Sequence, residues 1–422
     1  MQSTETNHSN AERISRVIFE HAARISRAQD TDALLRLNAD LARDLVAADR
    51  CSIWLIDAKA RELWTKVSHG VEHIRIPFGR GIVGACVAAD KPIVVNDAVA
   101  DSRFFGDVDS SSGYHTHSVM VVPLRADGQV IGALQALNKS GGFSDADVEL
   151  LGLSASYSAS AIQAQLLRQE AEAARLLYHE LEIARDVQRR LLPHELPPQN
   201  RVEYAAFFRS AKYVGGDYYD FLPLSDGLFA FTLGDVSGKG ISAAVMMASI
   251  QSLLRGQLLR GALPLSGLMN DINQAIYRSS TPERYSTLFC GVLNAERTRL
   301  TFVNAAHLPP MLVRSGAGAK PSRVHESGQG GMPIGLFESA QYEQLTIDTA
   351  PGDLIVCFSD GITEATNPRE ELWEDSNVEK VLWQCKDAPV QQIVETIVQA
   401  ADAFTAGAEQ FDDMTLTAIR IT

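Results

Sequence analysis

Apolar side chains recur along this 422-residue chain with two different periods, and the changes of period mark its organisation. Residues 1–12 are polar and read as a disordered tail. Ile14, Val17, Ile18, Ala22 and Ile25 then fall at helical spacing and predict a first helix over Arg13–Ala28. From Asp30 the pattern is mixed. It predicts a helix through LLRLNADLARDLV, strands through CSIWLID and LWTKVS, a helix near GIVGACVAA, and strands through SVMVVPL and QVIGALQALN. This is an α+β domain ending near Leu151.

Asp145–Leu192 contains no glycine after Gly152 and no proline, and is rich in Ala, Leu, Glu, Gln and Arg, all good helix formers. One helix, or two in succession, is expected. Ala174, Leu177, Leu181, Ala184, Gln188 and Leu191 recur at three- and four-residue steps, the spacing of a parallel coiled coil joining two subunits. Pro193, Pro197 and Pro198 end the helix. Alternating strands, apolar helices and Gly/Asp turns follow to Thr422. The pattern thus divides the chain into a leading helix with an α+β domain (13–160), a helical connector (161–195) and a second domain (196–422).

Composition narrows the function classes. The net charge of −14 argues against a nucleic-acid reader, which needs a basic face. Cys51, Cys86, Cys290, Cys357 and Cys385 are scattered, odd in number and without a CxxC pair, so neither a disulfide framework nor a structural zinc site is indicated. No apolar run approaches the ~20 residues needed to cross a bilayer, and the polar start lacks the blocks of a signal peptide. A cytoplasmic protein without membrane attachment is expected.

Candidate chemistry comes from aspartates in the second domain, each at the end of a strand-like run beside glycine or another aspartate. They are Asp217 in VGGDYYDF, Asp235 in FAFTLGDVSGKG, Asp360 in LIVCFSDGITEA, and Asp412 with Asp413 in FDDMTLTAI. A strand end fixes side-chain direction, and a neighbouring glycine lets backbone approach closely. If these ends converge, the crowded charges need a counter-charge, and hard cations with oxygen ligands supply it. Carboxylates without His or Cys favour magnesium or manganese over zinc. Two such ions about 3.5–4 Å apart can acidify a water and clamp the oxygens of a phosphoryl displacement.

GGDYYDF, GDVSGKGISAAVMMA, STLFCGVLN, NAAHLPPML, MPIGL, SDGITEA and DDMTL resemble, in order and spacing, the PPM-type serine/threonine phosphatases of the SpoIIE-like branch, over residues 196–422. The resemblance implies a β-sandwich flanked by helices, with two Mn2+ or Mg2+ ions at one end. It implies Asp217, Asp235, Asp360 and Asp412 as metal ligands, the Val236 carbonyl as a further one, and Asp413 supporting them from behind. It further implies a phosphoserine or phosphothreonine substrate on a partner protein, an antagonist of an anti-sigma factor. One position departs: Ser237 stands where related enzymes carry a histidine proposed as general acid. The leaving-group acid is open between Lys239 and a water at the metals. His307, in the turn before Pro309 and Pro310, is expected to be structural.

Residues 31–165 resemble a GAF domain through CSIWLID, IPFGRGIVGACVAADKPIVVND, SVMVVPL and VIGALQALNKSGGFSDADVELL. The resemblance implies an antiparallel sheet with helices and a pocket for an unidentified small ligand or protein. Asn138, Lys139, Phe143 and Asp147 partly match a motif of cyclic-nucleotide GAF domains, while the Lys139–Asp147 pair is equally suited to bracing the fold. Cys86, His115 and His117 are weak candidates for a bilin or haem site. Three rival functions carry less of the sequence. His179-Glu180-Leu181 echoes a histidine-kinase phosphoacceptor, but no DxGxG loop follows. Gly215-Gly216-Asp217 echoes a diguanylate cyclase turn, but Tyr218-Tyr219 replaces Glu-Phe. A non-catalytic scaffold would have lost the aspartates, and all four are present.

Overall fold

The computed structural model describes residues 2–25, 27–28, 30–65, 74–104, 113–193, 201–261, 264–281, 283–316, 318, 320–326 and 329–422. It divides into two compact units, Met1–Leu176 and Leu177–Thr422. Both units are mixed helix and antiparallel sheet, as the periodicities and resemblances imply.

The first unit is built on a six-stranded antiparallel sheet ordered β3-β2-β1-β6-β5-β4. Its strands are β1 (Arg50–Asp57), β2 (Glu62–Thr65), β3 (Ile74–Pro77), β4 (Ile93–Val95), β5 (Val119–Ala126) and β6 (Gln129–Leu137). Alternation decides which face each side chain meets. Cys51, Ile53 and Leu55 of β1 pack with α2 (Thr31–Val46) on one face, whereas Trp54 packs with α3 (Gly81–Ala89) on the other. The short strands β3 and β4 do not stand out in the periodicity. Residues 66–68 of the expected strand LWTKVS lie outside the described residues.

The first helix, α1, spans Gln2–Ile25 and so takes in nearly all of the expected disordered tail; no proline or glycine interrupts these residues. Asp145–Leu191 forms one uninterrupted helix, α4, of 47 residues. Its first turns bury Leu151, Ala155, Ala159 and Ile162 in the first unit's core.

The expected coiled-coil stripe on α4 is corrected in part. Gln188 is buried inside the chain, and Leu181, Ala184 and Leu191 are half-buried, because the end of the helix lies against the second unit's own residues. Leu177 of the expected stripe is exposed, and so are Leu166, Ala173, Leu176, Ile183 and Val187, which repeat at seven, three, seven and four residues.

The second unit has two five-stranded antiparallel sheets. The first, ordered β14-β11-β10-β9-β8, comprises β8 (Tyr218–Pro223), β9 (Phe229–Val236), β10 (Ser286–Leu293), β11 (Arg299–Ala305) and β14 (Leu345–Asp348). The second, ordered β13-β12-β15-β16-β7, comprises β7 (Val202–Arg209), β12 (Met311–Val313), β13 (Ser322–Arg323), β15 (Leu354–Phe358) and β16 (Met414–Ile421). Ile355, Cys357 and Ile419 of one sheet share a core with Phe231, Phe289 and Phe302 of the other, which makes a β-sandwich.

Helices cover both outer faces. α5 (Ile241–Leu259) and α6 (Leu265–Ser279) cover the first sheet, and α8 (Asp375–Cys385) and α9 (Val390–Thr405) the second, with the short α7 (Asp360–Thr363) after β15. α9 shows the driving force: Val390, Ile393, Val394, Ile397 and Ala401 recur on one buried face. Each large aliphatic there contributes roughly 1.5–3 kcal/mol relative to exposure. Pro197 and Pro198, expected to end α4, and the expected domain start at 196 lie outside the described residues.

Candidate metal centre

Antiparallel register brings the aspartates together. Tyr218 pairs with Gly234, so Asp217 at the entry to β8 faces Asp235 near the exit of β9. In the other sheet Phe358 pairs with Leu416, which sets Asp360, just beyond β15, beside the start of β16 where Asp412 and Asp413 lie. The four strand ends are therefore at one end of the sandwich. Glycines permit the approach: a Cβ on Gly216 would sit 2.8 Å from the Val236 carbonyl oxygen, and one on Gly361 would run into the Asp413 carbonyl.

The loop from Ser210 to Gly216 crosses from the second sheet to the first and delivers Asp217. It is held from two sides. The Ala211 N–H donates to Asp413 Oδ1 (2.8 Å) and the Gly216 N–H to Asp413 Oδ2 (2.5 Å). From α4, Gln188 Nε2 donates to the Gly215 carbonyl (2.6 Å) while the Gly215 N–H donates back to Gln188 Oε1 (3.0 Å). Thr415 donates its hydroxyl to Asp217, Ser359 Oγ donates to the Asp413 carbonyl (3.1 Å), and the Thr415 N–H donates to Ser359 Oγ (3.0 Å). Asp413 thus braces the loop with its carboxylate. Gln188 was missed as a site residue; a buried amide in an otherwise apolar stripe was the available signal.

Electrostatics separate these acids from ordinary turn formers. Burial pushes the Asp217 carboxyl well above its usual range, with Asp235 and Asp413 adding to the shift. Burial, then Asp360 and Asp412, raises Asp235 to about 7; burial, then Glu364 and Asp412, raises Asp360 to about 6. Asp413 is also raised, chiefly by burial. The neighbouring cation is Lys239, with Nζ 3.0 Å from Asp412 Oδ2. Shared acids with raised affinity for protons fit a divalent cation, which would satisfy the same lone pairs. Among the described residues no three acidic, histidine or cysteine side chains form a ready metal cluster, so the carboxylates are gathered but not closed on one point.

The surrounding candidates resolve separately. Ser237 accepts the Tyr285 N–H on its Oγ (3.0 Å). His307 is buried in the wall of a cavity of about 590 Å³ that also contains Asp235 and Asp360. Its Nδ1 meets Thr287 Oγ1 at 2.8 Å and its backbone N–H donates to Asn304 Oδ1 (2.8 Å). Burial lowers it to about 4, so it is neutral near pH 7 and ties the turn together. In the first unit, Lys139 pairs with Asp147, and Asn138 Oδ1 accepts from the His117 and Ser118 N–H groups (2.7 and 3.1 Å). The cyclic-nucleotide motif residues therefore brace the fold. Cys86 is buried and pushed up to about 12, whereas His115 and His117 are exposed, so a shared bilin or haem site does not form from them.

Comparison with known proteins agrees with this arrangement. The GAF domain profile matches residues 30–162, and the Stage II sporulation protein E (SpoIIE) profile matches residues 225–422, which includes Asp235, Asp360 and Asp412 but begins beyond Asp217. Protein IcfG of Synechocystis sp. is 26% identical over 72% of this chain and 51% of its own length. Phosphoserine phosphatase RsbU of Bacillus subtilis is 27% identical over 57% of this chain and 70% of its own. The chain thus spans about half of IcfG. The SiaA-PP2C domain of Pseudomonas aeruginosa superposes with a TM-score of 0.53 at 18% identity, covering 60% of this chain and 99% of that one, which establishes a shared fold. The chain therefore carries a GAF domain over residues 30–162, followed over residues 225–422 by a Stage II sporulation protein E (SpoIIE) PPM-type phosphatase domain.

Proposed function

We propose that this chain is a GAF-regulated, metal-dependent protein phosphatase that hydrolyses phosphoserine or phosphothreonine on a partner protein. The gathering of Asp217, Asp235 and Asp360 at one end of the sandwich, each with its proton affinity raised by burial and neighbouring acids, carries the reading. Such an arrangement is costly for a scaffold and useful for a catalyst. The motif resemblance points to an antagonist of an anti-sigma factor as the substrate, and RsbU, by its name a phosphoserine phosphatase, supports the reaction class.

Asp217, Asp235, Asp360 and Asp412, with the Val236 carbonyl, would hold Mn2+ or Mg2+. When bound, two such ions supply an acidified water and positive charge for in-line attack on phosphorus. The chain's own contribution is placement. Asp413 and Gln188 fix the loop that aims Asp217, Thr415 orients the Asp217 carboxylate, and Lys239 sets a positive charge at Asp412. Ser237 is engaged with backbone and serves structure. No helix among the described residues is long and apolar enough to cross a membrane.

Regulation is assigned to α4. Its outward stripe of Leu166, Ala173, Leu176, Ile183 and Val187 would pair two chains, and its end grips the Asp217 loop. A GAF signal acting there shifts activity by its coupling energy, typically ~1–3 kcal/mol. The test is phosphate release from a phosphoserine protein with Mn2+ or Mg2+, repeated after exhaustive chelation. Full activity in chelator would overturn the metal mechanism. Light scattering of the wild type and Ile183→Asp checks the dimer; a wild-type monomer removes that part.

A further inference from the structure

Within the second unit, the last turns of α4 and the loop leaving β7 enclose a cavity of about 670 Å³, apart from the aspartate cluster. Its lining includes Arg185, Arg189, Arg209 and Lys212, four cations in a chain of net charge −14, with Phe208 and Tyr213 among them.

Only part of that charge is answered within the fold. Arg209 pairs with Asp402 at 2.6 and 3.1 Å. Arg185 has a buried Nε without a hydrogen-bond partner, its acidic neighbour being the exposed Asp186 at 4.0 Å. Arg189 and Lys212 are exposed and join no ion pair among the described residues. The wall bearing Lys212 runs on through Gly215 and Gly216 to Asp217, and Ala211 within it is bonded to Asp413. The groove therefore borders the reaction site.

A lone phosphate would be held by donors converging on one point. Here the cations stand on two walls, Arg185 and Arg189 on α4 and Arg209 and Lys212 on the strand and loop opposite, an arrangement suited to an extended polypeptide carrying acidic side chains. We propose that this groove docks an acidic stretch of the phosphorylated partner, next to the phosphoserine being hydrolysed. This rests on the phosphatase reading and adds the charge of the substrate to it.

Two synthetic phosphoserine peptides of equal length, one flanked by glutamate and one by glutamine, test the proposal on the full chain with Mn2+. Exposed ion pairs are individually weak, so three cations predict a KM about tenfold lower for the acidic peptide at low salt, with the gap closing as salt screens it. The double variant Arg189→Glu/Lys212→Glu should erase the gap while leaving p-nitrophenyl phosphate turnover within about twofold. Arg189→Gln/Lys212→Gln should do the same by half measure, which guards against a folding defect. Equal KM values in the wild type, or a gap that survives undiminished in the Glu variant, would each overturn the docking role. Fluorescence anisotropy of the labelled acidic peptide on Asp235→Asn protein reads docking without turnover. Salt-sensitive binding lost in Arg189→Glu supports the groove even where hydrolysis fails, and binding unaffected by that change refutes it.

Discussion

Each unit carries a buried aspartate, Asp147 in the first turn of α4 and Asp217 at the entry to β8, and the two are treated in opposite ways. Asp147 in the first unit meets Lys139 and accepts from both the Ser144 N–H (2.9 Å) and its hydroxyl (2.8 Å); these partners outweigh burial and hold its carboxyl below the usual range. Asp217 in the second unit lies among Asp235 and Asp413, and its carboxyl is pushed far above that range. In the sequence both sit in motifs that resemble a binding site, Asp147 in a cyclic-nucleotide GAF motif and Asp217 in GGDYYDF. Environment separates them: a satisfied acid braces the fold, whereas gathered acids short of positive charge mark a place where a cation is wanted.

The sharpest way to break the contrast is one isosteric change made in both places. Asp235→Asn should lower kcat by about 10³-fold or more, the kinetic equivalent of several kcal/mol of lost charge stabilisation, in a phosphate-release assay at saturating metal. Asp147→Asn should leave kcat for p-nitrophenyl phosphate unchanged and weaken the first unit by about 1–3 kcal/mol in denaturant unfolding. Near-normal turnover in the first variant would erase the distinction.

Gln188→Ala should come next, with kcat falling about 10–100-fold, the range found when a group that orients metal ligands is removed. Its metal requirement should rise as well, which a merely structural loss would not produce.

The pH dependence without metal follows from the raised carboxyls. Asp235 and Asp360 hold protons in the folded state up to about 7 and 6, but release them near 4 when unfolded. Between these values the folded chain binds more protons, so stability falls as pH rises from about 4 to 7. Calorimetry should show a lower Tm at pH 8 than at pH 5, and added Mn2+ should raise Tm more at pH 8. The smallest effect belongs to Ser237→Ala, expected to cost under about tenfold in kcat, since losing a general acid typically costs 10²–10⁴.

Much of this was legible before any coordinates. Strand alternation located β1, β5 and β6, and strand-end aspartates beside glycine or another aspartate pointed to the cluster, because both are local signals. What escaped depends on distant pairing. Nothing near Gln188 in sequence announces that its amide meets Gly215, 27 residues on. Without that contact the Ala174–Leu191 stripe read as a subunit seam, although its buried members face the chain itself. The brief strands β3 and β4 are ordered by neighbours rather than by their own three or four residues.

The clasp between Gln188 and Gly215 also bears on where this protein can be cut. The family motifs begin near Gly215, and a fragment started at residue 196 spans every one of them. It would lack Gln188 and Leu192, leaving the buried Gly215 amide and carbonyl unanswered and a gap in the apolar core beside them. Such a fragment should turn over slowly and be mistaken for an enzyme awaiting its activator, when it has merely lost a wall. A piece whose basal rate carries meaning must include Gln188 and Leu192, as one starting at Leu177 does, upstream of every phosphatase motif.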